Sequence, residues 1–344
     1  MLTSLVAAFV LPVLLSGDIA KAIEPQAAVT RDGRFVVVFG SGKSVYEVHE
    51  KTAGSWSAPA RVADVPGLGL GMRRGPRIAV SGSRWLVTAP MGARMTGDLY
   101  SYLSVDEGNS WTAASRVNDA PGKSPEGLNG LSAAPGGGFF AVWLDGRGKD
   151  TTLWGSTSDD GLAWSANKEL YRSPSGSVCE CCHPTVALSP QGDVVLLWRN
   201  SVDGFRDMFS GVLDKGALKG SSKLGKGSWK LDACPMDGGA LALSPSGNRF
   251  AVWRREGSVY LSDLGGATEL ELGKGMQPWA TAGTGDIWVC WLEGRRGALR
   301  ATRFGSGQVA QVAAEADDPI LVSSDSRVLA VWADREGIKA AELR

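Results

Sequence analysis

Four of the five cysteines in this 344-residue chain fall in two short segments, Cys179-Glu180-Cys181-Cys182-His183-Pro184 and Cys234-Pro235-Met236-Asp237. Three chemistries fit those residues. The first is disulfide formation. Adjacent Cys181 and Cys182 have Cα atoms about 3.8 Å apart, below the usual disulfide range. One bridge would therefore join Cys181 or Cys182 to Cys234, and the other would be local. The second is a soft-metal site, because thiolates with Met236, Met276 and His183 suit copper(I), or zinc with fewer thioethers. The third is covalent haem. Cys179 to His183 spells C-x-x-C-H, with Cys182 as second attachment and His183 as axial ligand. An extra cysteine inside that motif and a tight loop count against haem c. The fifth cysteine, Cys290, sits in Trp288-Val289-Cys290-Trp291, a buried strand by composition, and is expected to be inert.

A second set of residues pairs acids with arginines. Asp145-Gly146-Arg147, Arg199 with Arg206-Asp207, Arg254-Arg255-Glu256, Glu293 with Arg295-Arg296, and Asp334-Arg335 each follow an apolar stretch ending in tryptophan. Salt bridging accounts for most such pairs. A few unpaired arginines would bind carboxylate or sulfate, which guanidinium matches bidentately. Glu126, Asp237, Glu293 and Asp317 are the carboxylates that an acid-base mechanism would draw on.

These residues are positioned by a repeat. Short strands recur at Phe35 to Phe39, Trp85 to Ala89, Phe139 to Trp143, Val194 to Trp198, Phe250 to Trp253, Ile287 to Trp291 and Val328 to Trp332. Most follow a turn such as Arg31-Asp32-Gly33, Pro135-Gly136-Gly137 or Pro190-Gln191-Gly192, where proline and glycine supply tight-turn geometry. The repeats begin near Pro25, Pro76, Leu128, Pro184, Gly239, Pro278 and Pro319, a spacing of 39 to 56 residues that suits a four-stranded antiparallel unit. One such meander cannot bury both its faces, whereas a ring of them can. The fold class is therefore all-β, a β-propeller of seven blades, with six as the alternative. The last repeat has room for only three strands, and the chain from Ile23 supplies few residues to complete it. In such a ring both cysteine segments occupy the same station before successive blades, with Met72 and Met276 at comparable stations. Cys179, Cys181, Cys182 and Cys234 are accordingly expected in one cluster at the channel mouth.

Charge is balanced at 36 basic and 36 acidic residues, which gives no nucleic-acid footprint and no membrane-surface patch. Leu5 to Leu15 is an apolar run too short to span a bilayer, and Ala20-Lys21-Ala22 offers a small-x-small cleavage site. Residues 1–22 read as a signal peptide, leaving residues 23–344 as one propeller domain without a transmembrane segment. A periplasmic or secreted location follows, in which cysteines meet an oxidising environment.

Ser104-Val105-Asp106-Glu107-Gly108-Asn109-Ser110-Trp111 fits the pattern S/T-x-D-x-G-x-x-W, and Thr157-Ser158-Asp159-Asp160-Gly161-Leu162-Ala163-Trp164 fits it again one blade later, with a degenerate relic near Trp56. The chain thus resembles the sialidase-like (BNR or Asp-box repeat) β-propeller superfamily over nearly its whole length. That resemblance implies a structural turn between a blade's third and fourth strands. Ser104, Asp106, Gly108 and Trp111 would hold one such turn, and Thr157, Asp159, Gly161 and Trp164 the other. It does not carry over the chemistry. Sialidases use an arginine triad and a late-blade tyrosine nucleophile, yet none of Tyr46, Tyr100, Tyr102, Tyr171 and Tyr260 lies in the last two repeats. Ordinary sialidase activity is expected to be absent. Three functions remain open: a ligand-, metal- or redox-linked site at the cysteines, hydrolysis or lysis of an anionic sugar, and a platform for a protein partner. The corresponding ligands are a metal ion, a small anionic or carbohydrate molecule, or a protein.

Overall fold

The computed structural model describes residues 11–92, 96–134, 136–265, 268–283 and 285–344. They form seven antiparallel sheets, each a meander. The seven innermost strands are Ile23–Val29, Arg77–Ser81, Asn129–Ala133, Thr185–Leu188, Gly239–Leu243, Met276–Ala282 and Asp317–Ser323. Each neighbours the next around the ring, and Asp317–Ser323 returns to Ile23–Val29. The ring is closed with seven blades.

The core explains why seven repeats were legible. It is divided into seven apolar clusters, each shared by two neighbouring blades. The strand-ending tryptophans Trp143, Trp198, Trp253, Trp291 and Trp332 are all at most 3% exposed. An indole at the end of each second strand fills the gap that widens between sheets as they radiate.

Closure uses a short strand before the first blade. Val13–Leu14 pairs with Ile338–Leu343 as the fourth strand of the last blade. Leu15 is buried in the cluster between blades 7 and 1, and the Ser16 hydroxyl accepts the Ile338 N–H at 3.0 Å. The missing strand thus comes from the segment read above as the end of a signal peptide. The first ten residues of that segment, like Pro135 of the third-repeat turn, lie outside the described residues. Among the described residues no helix is long and apolar enough to cross a membrane.

The two motif segments form the turns between third and fourth strands. At the first, Ser104 Oγ accepts the Gly108 N–H at 2.8 Å and donates to Asp106, whose carboxylate takes the Ser110 N–H at 2.9 Å. Gly108 has φ +85°, a value only glycine adopts cheaply. The second turn is held one residue later than the pattern match indicates. Ser158 Oγ accepts the Gly161 N–H, and Asp160 accepts the Leu162 and Ala163 N–H groups, all at 2.8 Å. Ser158 and Asp160 do the work expected of Thr157 and Asp159. Thr157 instead bonds Ser165, and Asp159 is exposed. Trp164 donates to Ser101 of the preceding blade at 3.0 Å, and Trp111 packs on the cluster between blades 1 and 2.

One irregularity recurs where the chain enters a blade. Glu24, Arg73, Met236, Gln277 and Asp318 all have φ between 50° and 60° or just below, at 55°, 60°, 51°, 51° and 49°. Strand pairing is interrupted after Ile23, Met276 and Asp317. In those three the next residue but one is proline, which has no N–H to donate, so the ladder is already broken there. Such a bulge re-aims a side chain. Here it carries polar and charged groups to the rim of the central channel.

Candidate functional site

The loop entering blade 4 brings three sulfurs together. Cys179 Sγ lies 3.8 Å from Cys181 Sγ and 3.6 Å from Cys182 Sγ, and all three sulfurs fall within 4.8 Å of one another. The loop is held from two sides. The Cys179 N–H donates to the Arg199 carbonyl at 3.0 Å, which ties it to the end of strand Val194–Arg199, and the Met236 backbone bonds Cys181. Cys179 and Cys182 are buried; Cys181 is half-buried. No disulfide is formed, so the bridges offered by the sequence are absent and the thiols are free.

The protons in this group are unevenly held. S–H···S contacts with Cys181 and Cys182 draw the Cys179 thiol well below its ordinary range, against the opposing effect of burial, and the charges of Arg199 and Arg206 add to the lowering. The Cys181 thiol is pushed up to about 12 by sharing with Cys179, and burial pushes Cys182 up as well. Cys179 is thus the thiolate of the group. Arg206 Nη1 donates to its sulfur at 3.5 Å.

Cys234 departs from expectation. It is exposed and outside the sulfur group, although near enough to bear on the Arg206 charge. Equivalent stations in neighbouring blades bring the two loops side by side, but the Cys234 side chain points to solvent. Met236 is half-buried beside it. His183 also lies apart from the sulfurs. It is 3% exposed, and its ring packs against Trp279 at 6.1 Å and against Gly238, where a Cβ would overlap the imidazole. Burial, then the charges of Arg77 and Arg73, hold its pKa well below the usual histidine range. Its Nε2 has no hydrogen-bond partner. Cys290 is fully buried in its strand as expected.

The donor set discriminates among cofactors. Thiolates arranged tetrahedrally about zinc at about 2.3 Å lie about 3.8 Å apart, close to the 3.8 and 3.6 Å from Cys179 Sγ to its two neighbours, but the group supplies three donors, not four. The residues do not fit covalent haem. Cys179 and Cys182 are at most 2% exposed. His183 lies outside the sulfur group, with its ring against Trp279.

The acid and arginine pairs mostly neutralise one another. Arg147 bonds Asp145 at 2.9 Å and Asp119 at 2.8 Å and lies over Trp154. Glu293 pairs with Arg300 at 2.7 Å, Asp334 with Lys339 at 3.0 Å, and Arg254 with Asp237 at 3.6 Å. Asp207 accepts the Trp229 N–H. Glu126 is paired with Arg74, and Asp317 with Arg296. Arg295 and Arg335 are exposed. Arg199 and Arg206 are different: among the described residues neither forms an ion pair with a carboxylate.

Sequence reasoning named His183 and Asp237 but missed the rest of the group at the channel axis. Glu24, Arg73, Arg77, His183 and Asp237 are all at most 5% exposed there, beside Gln277, Trp279 and Asp318. Arg73 reaches from the entry of blade 2 across the channel. Its Nη2 donates to the carbonyls of Gln277 (3.2 Å) and Pro319 (3.0 Å). Its Nε and Nη1 are buried without partners. The available signal was the recurrence of a polar residue before proline in Glu24-Pro25, His183-Pro184, Gln277-Pro278 and Asp318-Pro319.

No family model matches the chain, and neither does any curated protein. Solved structures do resemble it. The BP39L lectin from Burkholderia pseudomallei superposes with TM-score 0.67 at 14% identity over 94% of this chain and 95% of that one. A catalytically inactive virginiamycin B lyase from Staphylococcus aureus, solved with quinupristin, gives 0.61 at 11% identity over 98% and 99%. The Penicillium chrysogenum α-L-arabinanase complexed with arabinobiose gives 0.55 at 13% identity over 98% of each. The chain has the fold of β-propeller lectins, lyases and glycoside hydrolases. At these identities the likeness is one of fold, and function has to be argued from the site.

Proposed function

We propose that the protein is an exported, metal-binding propeller of the sialidase-like type, in which Cys179, Cys181 and Cys182 hold a thiophilic ion, copper or zinc, beside the channel mouth. One observation carries this: three sulfurs from a four-residue segment converge within 4.8 Å of one another without bonding. Buried free thiols packed so closely lose little by giving up protons to a soft cation. The Arg206 guanidinium against Cys179 steadies the thiolate before the ion arrives. The ion would tie the loop entering blade 4 together; the protein supplies the positions of the three sulfurs. The test is metal titration of reduced full-length protein, followed by elemental analysis. One equivalent should bind, and Cys182→Ser should lose it. An unchanged apo spectrum with all thiols still titratable would sink the proposal.

A second function is favoured by the orphaned groups of Arg73 and His183. They support a carbohydrate or small anionic ligand at the same mouth, in keeping with similar folds solved with arabinobiose or named as lectins. Calorimetry against neutral and acidic oligosaccharides tests it, with Arg73→Met as the control that should abolish any heat.

A further inference from the structure

We infer that the cysteine site selects a monovalent ion, copper(I), over zinc(II). This rests on the metal-binding proposal above and adds its selectivity. The argument starts from the two arginines beside the sulfurs. Arg199 is 1% exposed. Its guanidinium donates only to carbonyls: Asp237 at 3.1 and 3.0 Å, Arg206 at 2.7 Å and Arg254 at 2.8 Å. Arg206 donates to Cys179 Sγ at 3.5 Å, and its Nε is buried without a partner. The nearest buried acid, Asp237, is paired with Arg254 and accepts the Gln277 N–H. Glu180 and Asp232 are exposed, where water screens them. Cys179 therefore faces the charges of both Arg199 and Arg206, while Arg199 also bears on the Asp237 carboxylate that Arg254 pairs.

Charge then decides the cation. Three thiolates carry three negative charges and the two arginines carry two positive ones. A monovalent ion brings the group to neutrality, whereas a divalent ion leaves one positive charge uncompensated beside the buried Cys179, Cys182 and Arg199, which their burial disfavours. Coordination points the same way. Zinc takes four ligands, so a three-sulfur group would leave it to recruit a water as the fourth. Among the described residues the group within reach supplies three, with Cys234 and His183 outside it. Copper(I) is soft and is satisfied by sulfur alone. Binding is a ligand exchange without redox change: three thiols and one copper(I) ion give the tris-thiolate complex and up to three released protons.

The experiment uses the reduced full-length chain under anaerobic conditions. Copper(I) is presented in competition with a copper(I) chelator, zinc(II) with a zinc chelator, and then both ions together at one equivalent each. The expected result is one copper(I) retained per chain with zinc left in solution, and an X-ray absorption edge showing sulfur neighbours without nitrogen. Cys234→Ser and Cys290→Ser should keep that stoichiometry. Arg206→Gln removes one positive charge, so the ratio of copper to zinc affinity should fall at least about tenfold. Arg206→Lys keeps the charge and should keep the ratio, which separates charge from damage to the fold. Zinc retained in preference by the wild type, or a ratio unmoved by Arg206→Gln, overturns the selectivity while leaving metal binding intact. Retention of neither ion overturns the metal-binding proposal itself.

Discussion

Two buried arginines four residues apart should respond in opposite ways to removal. Arg77 is fully used. Its Nε donates to Asn129 O at 3.1 Å, its Nη1 to Gly75 O at 3.0 Å and Pro76 O at 3.2 Å, and its Nη2 to Arg73 O. It also faces Glu24, whose carboxyl is buried and accepts the Arg74 and Gly75 N–H groups. Burial pushes the Arg77 pKa down to about 10, against the pull of Glu24, so it stays charged at neutral pH. Arg77→Met orphans several carbonyls and strips Glu24 of its opposite charge. Breaking such a buried arrangement costs about 3–5 kcal/mol. Arg73 makes two bonds through Nη2 and leaves the nitrogens Nε and Nη1 dry. Arg73→Met forfeits about 1.5–3 kcal/mol for each bond to a charged donor but recovers about 1–3 kcal/mol for each orphaned group. It also ends the repulsion that Arg73 exerts on Arg77. Asp318, with its pKa pushed up to about 7 by burial and by Glu24, absorbs the lost charge by taking a proton. The net change should stay within about 1 kcal/mol. Urea unfolding at pH 7, followed by tryptophan fluorescence, measures both variants as shifts in midpoint at constant m. Equal destabilisation by the two substitutions would refute the reasoning, because it would mean that hydrogen-bond satisfaction does not govern the cost here.

Three further outcomes are expected. Trp198 is 1% exposed and lies 4.8 Å from Tyr171 and 6.3 Å from Phe209, so Trp198→Ala should cost about 3–5 kcal/mol; a near-neutral urea midpoint contradicts that. Because Asp318 is raised to about 7, the native state binds a proton that the unfolded state has released. Stability should decline as pH rises from about 4 to about 7 and level off above. Asp318→Asn should flatten that decline, and an unchanged slope in unfolding midpoints across the range refutes the assignment. Cleavage after Ala22 would give a mature chain starting at Ile23 and leave Ile338–Leu343 as an open edge in blade 7. N-terminal sequencing of exported protein decides this, and material that still contains Val13–Leu14 would show that the closing strand is retained.

The blades were legible because each repeat states its own boundaries: a proline or glycine turn, then a strand closed by an indole. The inter-blade clusters demand that pattern, so Trp143, Trp198, Trp253, Trp291 and Trp332 recur where the packing needs them. What repeats cannot convey is the direction of a side chain in an irregular loop. Cys234 occupies the station that the repeat assigns to it and still faces solvent, while Cys179, Cys181 and Cys182 turn inward. The same limit shifted the second turn motif, where Ser158 and Asp160 hold the backbone in place of Thr157 and Asp159.

The channel group was hidden for a related reason. Glu24, Arg73, Gln277 and Asp318 look in the sequence like surface residues at loop ends, because charge ordinarily signals exposure. Their left-handed backbone at the blade entry reverses that, since it turns the side chain from the loop into the axis. For Glu24, Gln277 and Asp318 a polar residue before an entry proline is the trace it leaves, whereas Arg73 stands three residues ahead of Pro76. In a propeller this follows from the geometry: innermost strands converge, their proline breaks the ladder, and the residue ahead of it has only the channel to enter. His183 stands at the same place before Pro184, directly after Cys182. The channel group and the sulfur group therefore share one loop, and the Arg199 charge bears on both the Cys179 thiol and the His183 imidazole, so an ion bound at the cysteines would be felt at His183 through Arg199.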